Sequence, residues 1–407
     1  MKTSISSGRT SHPTITTVVV TGADTPTGLT TARALRDLPV TIWGLTTTPS
    51  APCCRSNVWA RIVLVDADAD KQIDKLLTLD FQTPADKKPL LFLSQDDLVA
   101  AASRRRDELA RLYTFTLPSP DATNLMLDKT LFHTWAEKNG FAVPASTVVG
   151  NLSELSLALQ NARFPVIVKP LVRNPDWDSR MGNRKVLWVR DNADIEAITN
   201  GIDLFTLCER YLVQSWIDGE DDDVYFCLFS FDESGHLLDE LCGRKLMQWP
   251  PLTGSTAICH LIRDPALLEY SRDILVKAEL RGLGSIEFKR DRRDGRYYIT
   301  EPTVGRNDHQ SAVSVLGHHN PTRALACAML KIAYEPGRPI TNTRSGLWID
   351  ELATYRHCQN QNAWRKFVRL FFSGLRHGIP HPLIFKLSDP KPFLRLVSSV
   401  VRRRLGS

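Results

Sequence analysis

Two glutamates, Glu287 and Glu301, combine residue type and spacing in the way most suited to chemistry in this sequence. They stand in Ser285-Ile286-Glu287-Phe288-Lys289 and Tyr298-Ile299-Thr300-Glu301-Pro302, on either side of the turn Arg293-Asp294-Gly295-Arg296. Apolar and β-branched flanks around such a turn predict a hairpin, whose strands can bring the two carboxylates side by side. Close carboxylates repel unless a divalent ion or a shared proton holds them. Magnesium is one such ion, since it takes oxygen ligands from a few carboxylates and from nucleotide phosphates. The alternative is a pair of surface acids on opposite faces of the hairpin.

Two lysines suit the same chemistry. Lys129 falls in a helix predicted over 124–139 and closed by Gly140, and Lys169 ends the apolar strand Val166-Ile167-Val168-Lys169-Pro170. An ammonium at a strand tip can meet a phosphate, although many such lysines are simply solvated. Between lysines and hairpin lies Val213-Gln214-Ser215-Trp216-Ile217-Asp218-Gly219-Glu220-Asp221. This stretch can offer backbone groups to adenine and a carboxylate to ribose hydroxyls. An ordinary strand followed by a solvated acidic loop fits it as well.

In this order, Asp128-Lys129, VIVKP at 166–170, VQSWIDGED at 213–221 and GSIEFKRDRRDGRYYITEP at 284–302 resemble the ATP-grasp superfamily, over residues 121–315. The continuation from Glu301 to Gln310 is similar to bacterial carboxylate–amine ligases associated with polysaccharide or cell-wall modification. The resemblance implies ATP and magnesium, with manganese as an alternative ion. It implies that Lys129 and Lys169 contact the nucleotide phosphates and that Lys169 and Arg306 act in catalysis. Gln214, Trp216 and Ile217 would line the adenine slot, and Asp221, or Glu220 beside it, would take the ribose. Glu287, Glu301 and Thr303 would hold the metal. Thr303 stands where many relatives have asparagine. Arg306 matches an arginine that serves the acyl phosphate or the substrate carboxylate.

The resemblance further implies that the segment from Gly243 to Gly254 faces the acceptor, making Arg244 or Lys245 a substrate or phosphate contact, with His309 a third candidate. Where relatives have a glycine-rich phosphate cover, this chain has 171–185, with one glycine, Gly182, and with Arg173, Arg180, Arg184 and Lys185. Guanidinium groups can replace backbone amides as phosphate donors; a solvated basic loop is the alternative. The implied reaction phosphorylates a carboxylate, couples the acyl phosphate to an amine and releases ADP and phosphate. Its substrates would be small molecules, a sugar or an amino acid among them, and neither is named by the sequence.

These residues need a scaffold. Alternating apolar strands and helices over 15–120, after a polar disordered lead-in of 1–14, predict a Rossmann-like, doubly wound parallel sheet. Leu117-Pro118-Ser119-Pro120 marks a boundary, and 121–340 reads as an ATP-grasp core of two α+β subdomains. Thr21-Gly22 to Gly28 lies at a strand-to-helix turn, but its spacing is not GxGxxG, so a structural role is favoured over dinucleotide binding. An NAD(P)-dependent oxidoreductase is the least favoured reading, and a non-catalytic ATP-binding scaffold or sensor is the main alternative.

Eight scattered cysteines form no CxxC pair, and reduced thiols of a cytoplasmic protein are expected. The net charge of +6 is uneven. From Asn360 onward ten basic residues face one acid, Asp389, giving +9 and leaving −3 for the rest. With apolar residues at helical spacing between the cations, 341–407 reads as a basic amphipathic extension that suits either an anionic membrane surface or packing on the protein. No nucleic-acid-binding module accompanies the charge.

Overall fold

The computed structural model describes residues 16–81, 87–172, 174–181, 186–191, 194, 204–335 and 344–405. The expected lead-in at 1–14 lies outside them. Strands β1 (Thr16–Val20), β2 (Val40–Thr46), β3 (Arg61–Leu64) and β4 (Leu90–Phe92) form a parallel sheet in the order β3-β2-β1-β4. Side chains alternate across a strand, and here both faces are covered. Val19 packs in one hydrophobic cluster, while Val18 and Val20 pack in another.

Helix α1 (Pro26–Leu35) follows β1, with Thr25 as its N-cap and proline at its first position. Gly22 has φ +63°, and a Cβ on Gly28 would stand 2.2 Å from the Gly22 carbonyl oxygen. The two glycines therefore serve the close packing of this turn.

After Ser119, which caps Pro120–Leu127, the single helix expected over 124–139 divides. Asp128 leaves the helical conformation and accepts from Thr130 N and Leu131 N, at 2.8 and 2.9 Å, starting a second helix at Lys129. An N-cap of this kind contributes about 1 kcal/mol, and it puts Lys129 in a first helical turn.

Two further sheets follow. Strands β5 (Ser146–Val149), β6 (Val166–Pro170), β7 (Leu187–Val189) and β8 (Tyr211–Ser215) pair antiparallel in the order β5-β8-β6-β7. The larger sheet comprises β9 (Val224–Phe231), β10 (Leu237–Trp249), β11 (Ser255–Ile262), β12 (Gly282–Arg290), β13 (Tyr297–Val304), β14 (Arg344–Ile349) and β15 (His381–Pro382). Its order is β13-β12-β9-β10-β11-β14-β15.

Residues after 340 are thus part of this body. Strand β14 pairs with β11, and Leu347, Trp348 and Ile349 are buried. The segment beyond β15 returns to the first sheet's domain, where Asp389 meets Arg33 of α1 at 2.8 Å. An appendage starting at 341 does not describe this chain, because the boundary would remove an interior strand of the larger sheet.

Candidate active site

Between the four-stranded antiparallel sheet and the larger seven-stranded sheet lies a cavity of about 370 Å³. Strands β6 and β8 supply Lys169 and Gln214, the connection after β8 supplies Trp216 and Ile217, and the helix beginning at Lys129 supplies that lysine. From the larger sheet come Lys245, Gln248, Thr256, Glu287, Lys289, Thr300 and Glu301, with Asp308, His309 and Gln310 from the loop after β13.

The hairpin places its acids as expected. Glu287 and Glu301 are directly opposite across β12 and β13, with a register shift after Glu287 that leaves Thr300 unpaired. Residues paired in this way project to the same face. Asp308, which the sequence reading did not single out, is a third carboxylate lining the cavity. Its oxygens accept from Ser285 Oγ at 3.1 Å, Gln310 Nε2 at 2.9 Å and His309 N at 2.8 Å. Burial pushes the Glu287 carboxyl up, and Asp308 and Glu301 add to that rise while Lys245 opposes it.

Lys245 Nζ lies 2.5 Å from Glu287 Oε2 and donates to Gln248 Oε1 at 3.3 Å, although only 3% of its side chain is exposed. Lys129 Nζ stands 3.9 Å from Glu301. Lys169 Nζ donates to Gln214 Oε1 at 3.1 Å. Burial pushes the Lys169 ammonium down to about 8, with Lys129 contributing and Glu301 opposing. One end of the cavity therefore interleaves three ammonium groups with three carboxylates.

The other end is apolar. Trp216 packs against Trp188 with ring centroids 5.3 Å apart, and Ile217 is buried beside it. Lys289 Nζ sits 3.6 Å from the centre of the Trp216 ring. Burial pushes this ammonium down to about 8, despite Asp223, Asp218, Glu220 and Asp221.

Several expected residues are placed elsewhere. Asp221 does not line the cavity, since its carboxylate accepts from Gln248 N at 2.9 Å, Gln248 Nε2 at 3.2 Å and Leu252 N at 2.7 Å. It secures the turn after β10, while Glu220 points to solvent. Arg244 follows the alternation of its strand, so that Lys245 faces the cavity and Arg244 meets Asp222 at 3.4 Å on the other side. Arg306 is also outside the cavity lining, with Nε and Nη2 bonded to Asp96 at 2.5 and 3.0 Å. The buried Thr303 is not part of the lining either.

His309 does reach the cavity, and its Nε2 is 2.9 Å from Asp350, the N-cap of the helix after β14. Of the basic loop, Arg180 is exposed on the helix Pro175–Met181. Arg173, Gly182, Arg184 and Lys185 lie outside the described residues.

The oxygens of Glu287, Glu301 and Asp308 have the chemistry magnesium requires. Among the described residues no three His, Cys, Asp or Glu side chains form a metal cage by themselves. Magnesium commonly takes one or two carboxylates and completes its shell with phosphates and water.

No family model and no curated protein matches the chain. Solved structures do. An N5-carboxyaminoimidazole ribonucleotide synthetase in complex with ADP matches at TM-score 0.63 and 14% identity, covering 81% of this chain and 80% of that one. The biotin carboxylase domain of Hydrogenobacter thermophilus 2-oxoglutarate carboxylase, with MgADP, ADP and bicarbonate, matches at TM-score 0.59 and 14% identity, covering 83% and 74%. An L-amino acid ligase from Bacillus licheniformis matches at TM-score 0.58 and 14% identity, covering 81% and 79%. The chain has the ATP-grasp fold.

Proposed function

We propose that the protein is an ATP- and magnesium-dependent carboxylate–amine ligase. The observation that carries this reading is the cavity's division into an ionic end and an aromatic end. A nucleotide is divided in the same way, into polyphosphate and base. Lys129 and Lys169 would neutralise the phosphates, and Glu287, Glu301 and Asp308 would hold magnesium. The metal supplies charge neutralisation at the transferring phosphoryl group, a reaction that depends mainly on positioning and electrostatics.

The substrate carboxylate oxygen forms a bond to the γ-phosphorus as the bond to ADP breaks. The amine nitrogen then bonds to the acyl carbon, the acyl C–O bond breaks, and phosphate leaves. Lys245, buried between the carboxylates and Gln248, is placed to bind an anionic substrate or phosphate oxygen. His309, held by Asp350, is placed at the acceptor side. The resemblance favours an acceptor amine from polysaccharide or cell-wall chemistry, and ATP supply places the reaction in the cytoplasm.

Hydroxylamine tests this without knowledge of the natural amine. With ATP, magnesium and a panel of amino and sugar acids, one member should yield a hydroxamate, with ADP and phosphate released in step. Nucleotide binding with no carboxylate-dependent ADP release across the panel would instead establish a non-catalytic ATP-binding protein.

The C-terminal helices support a second, independent part of the reading. In Trp364–Leu375, Phe367, Leu370 and Phe371 pack on the body, and a Cβ on Gly374 would meet Leu347 at 2.4 Å. A second apolar stripe faces outward. Trp364, Val368, Phe372 and Leu375 are exposed, Phe372 by 65%, with Arg365, Arg369 and Arg376 exposed on the same helix and its end. No described helix is long and apolar enough to cross a membrane. Aromatic residues among cations suit the surface of an anionic bilayer. The protein should sediment with phosphatidylglycerol vesicles but not with phosphatidylcholine vesicles, and the substitutions W364S and F372S together should abolish binding. Equal recovery from both vesicle types would sink the idea.

A further inference from the structure

Lys289 is anomalous among the cations of the cavity. Lys129, Lys169 and Lys245 each have a polar partner, Glu301, Gln214 or Glu287. Lys289 is 5% exposed, and among the described residues its Nζ has no hydrogen-bond partner. Its close neighbour is the face of Trp216, 3.6 Å away. A buried ammonium has three donors, and leaving them unsatisfied is costly. A cation–π contact offsets only part of that cost.

The position of this ammonium restricts what can satisfy it. Lys289 is two residues beyond Glu287 on β12, so both side chains project from the same face of one strand. The two nevertheless serve different ends of the cavity. Glu287 joins Lys245, while the acids that act on Lys289 are Asp218, Glu220, Asp221 and Asp223, from the connection after β8. Asp223 already receives Arg292 at 2.5 Å, and Asp221 is committed to Gln248 and Leu252. Trp216 lies against the ammonium and Val224 is the register partner of Lys289 on β9, and among the described residues no side chain accepts from Nζ.

We infer that Lys289 reads the nucleobase, donating a charge-assisted hydrogen bond to an acceptor nitrogen of a purine ring held against Trp216 and Ile217. This rests on the nucleotide reading above and deepens it by assigning a residue that selects the base. Shape and stacking accept any flat ring, whereas a buried donor also demands an acceptor at one position. A base lacking that acceptor would leave the ammonium unpaired, and such mismatches discriminate strongly.

The test is a binding cycle read by calorimetry on the full-length protein, with MgADP and its 1-deaza, 3-deaza and 7-deaza analogues. Lys289→Met keeps the stem and removes the ammonium. MgADP affinity should fall about 10- to 100-fold in this variant, as expected for one charge-assisted hydrogen bond. One of the deaza analogues should show a similar loss on the unaltered protein and little further loss on the variant. Unfolding of the ligand-free variant checks its fold, and the analogue series on the unaltered protein stands even if the variant does not fold.

Equal affinity for MgADP and all three analogues on the unaltered protein would overturn the inference. So would coupling of Lys289→Met to 2′-deoxy-ADP alone, which would place the acceptor on the ribose. If the unaltered protein does not bind MgADP at all, the nucleotide reading itself fails, which is a separate result.

Discussion

Glu301→Ala should lower carboxylate-dependent ADP release by at least about 100-fold, since even outer-shell partners of a metal ligand are worth 10- to 100-fold. The same substitution should leave the fold nearly unchanged. Glu301 is 57% exposed at the side chain, and its polar neighbour is Lys129 at 3.9 Å. Exposed positions of this kind cost little when truncated. The decisive measurement is ADP affinity with and without magnesium. In the unaltered protein magnesium should tighten binding, and in Glu301→Ala that gain should shrink while metal-free affinity persists. Wild-type turnover in the variant would remove Glu301 from the metal site.

Glu287→Gln should behave differently, although the two acids face each other across one hairpin. It removes the charge that balances Lys245, whose side chain is 3% exposed. An uncompensated buried charge destabilises by about 3–5 kcal/mol. This variant should therefore lose both activity and stability, and the contrast with Glu301→Ala separates the two roles by denaturant midpoint alone.

The parts of the site that were legible in the sequence share a physical reason. Hairpin register depends on a short turn and on alternation along adjacent strands, both local properties. The same alternation also decides between Arg244 and Lys245, and in Ile286-Glu287-Phe288-Lys289 it puts Lys289 on the face of Glu287. Arg306 and Asp221 are engaged by partners remote in sequence, which local pattern does not announce. Asp96 lies 210 residues from Arg306, and nothing near Asp221 announces the turn at Leu252, which it holds. Residue type told correctly that these groups are charged and need partners. It could not tell whether the partner was a ligand or another segment of the chain.

The C-terminal segment was read as an appendage for a related reason. Its charge is conspicuous, whereas its structural contribution comes from one short strand and one acid. Strand β14 finds β11 some distance back in sequence, and the single acid of the basic stretch finds an arginine in the first helix. A lone carboxylate among ten cations looks incidental in composition. In three dimensions it is buried and accepts from three separate residues.

Asp389→Ala should consequently destabilise the protein by about 3–5 kcal/mol, the range for removing one partner of a buried ion pair. Asp389 is 1% exposed and accepts from Arg33 Nη2 at 2.8 Å, Ser56 Oγ at 2.5 Å and Asn57 N at 3.0 Å. Arg33 is 7% exposed, and its other terminal nitrogen donates to the Leu383 carbonyl. Alanine would strand the guanidinium and leave two further donors unmet. Adding Arg33→Met should recover part of the loss, because the unpaired charge goes while the Leu383 and Ile384 carbonyls lose their donor. An Asp389→Ala midpoint equal to that of the unaltered protein would show that the contact contributes nothing. Acid provides a second check. Burial works to raise the Asp389 pKa, but Ser56, Arg33 and Asn57 hold it below the usual carboxylate range. A carboxylate depressed in the folded state gives its full stabilisation above its unfolded pKa, about 3.9, and loses it as pH falls through the lower native value. Stability of the unaltered protein should therefore decline in that acid window, and the decline should be shallower in Asp389→Ala.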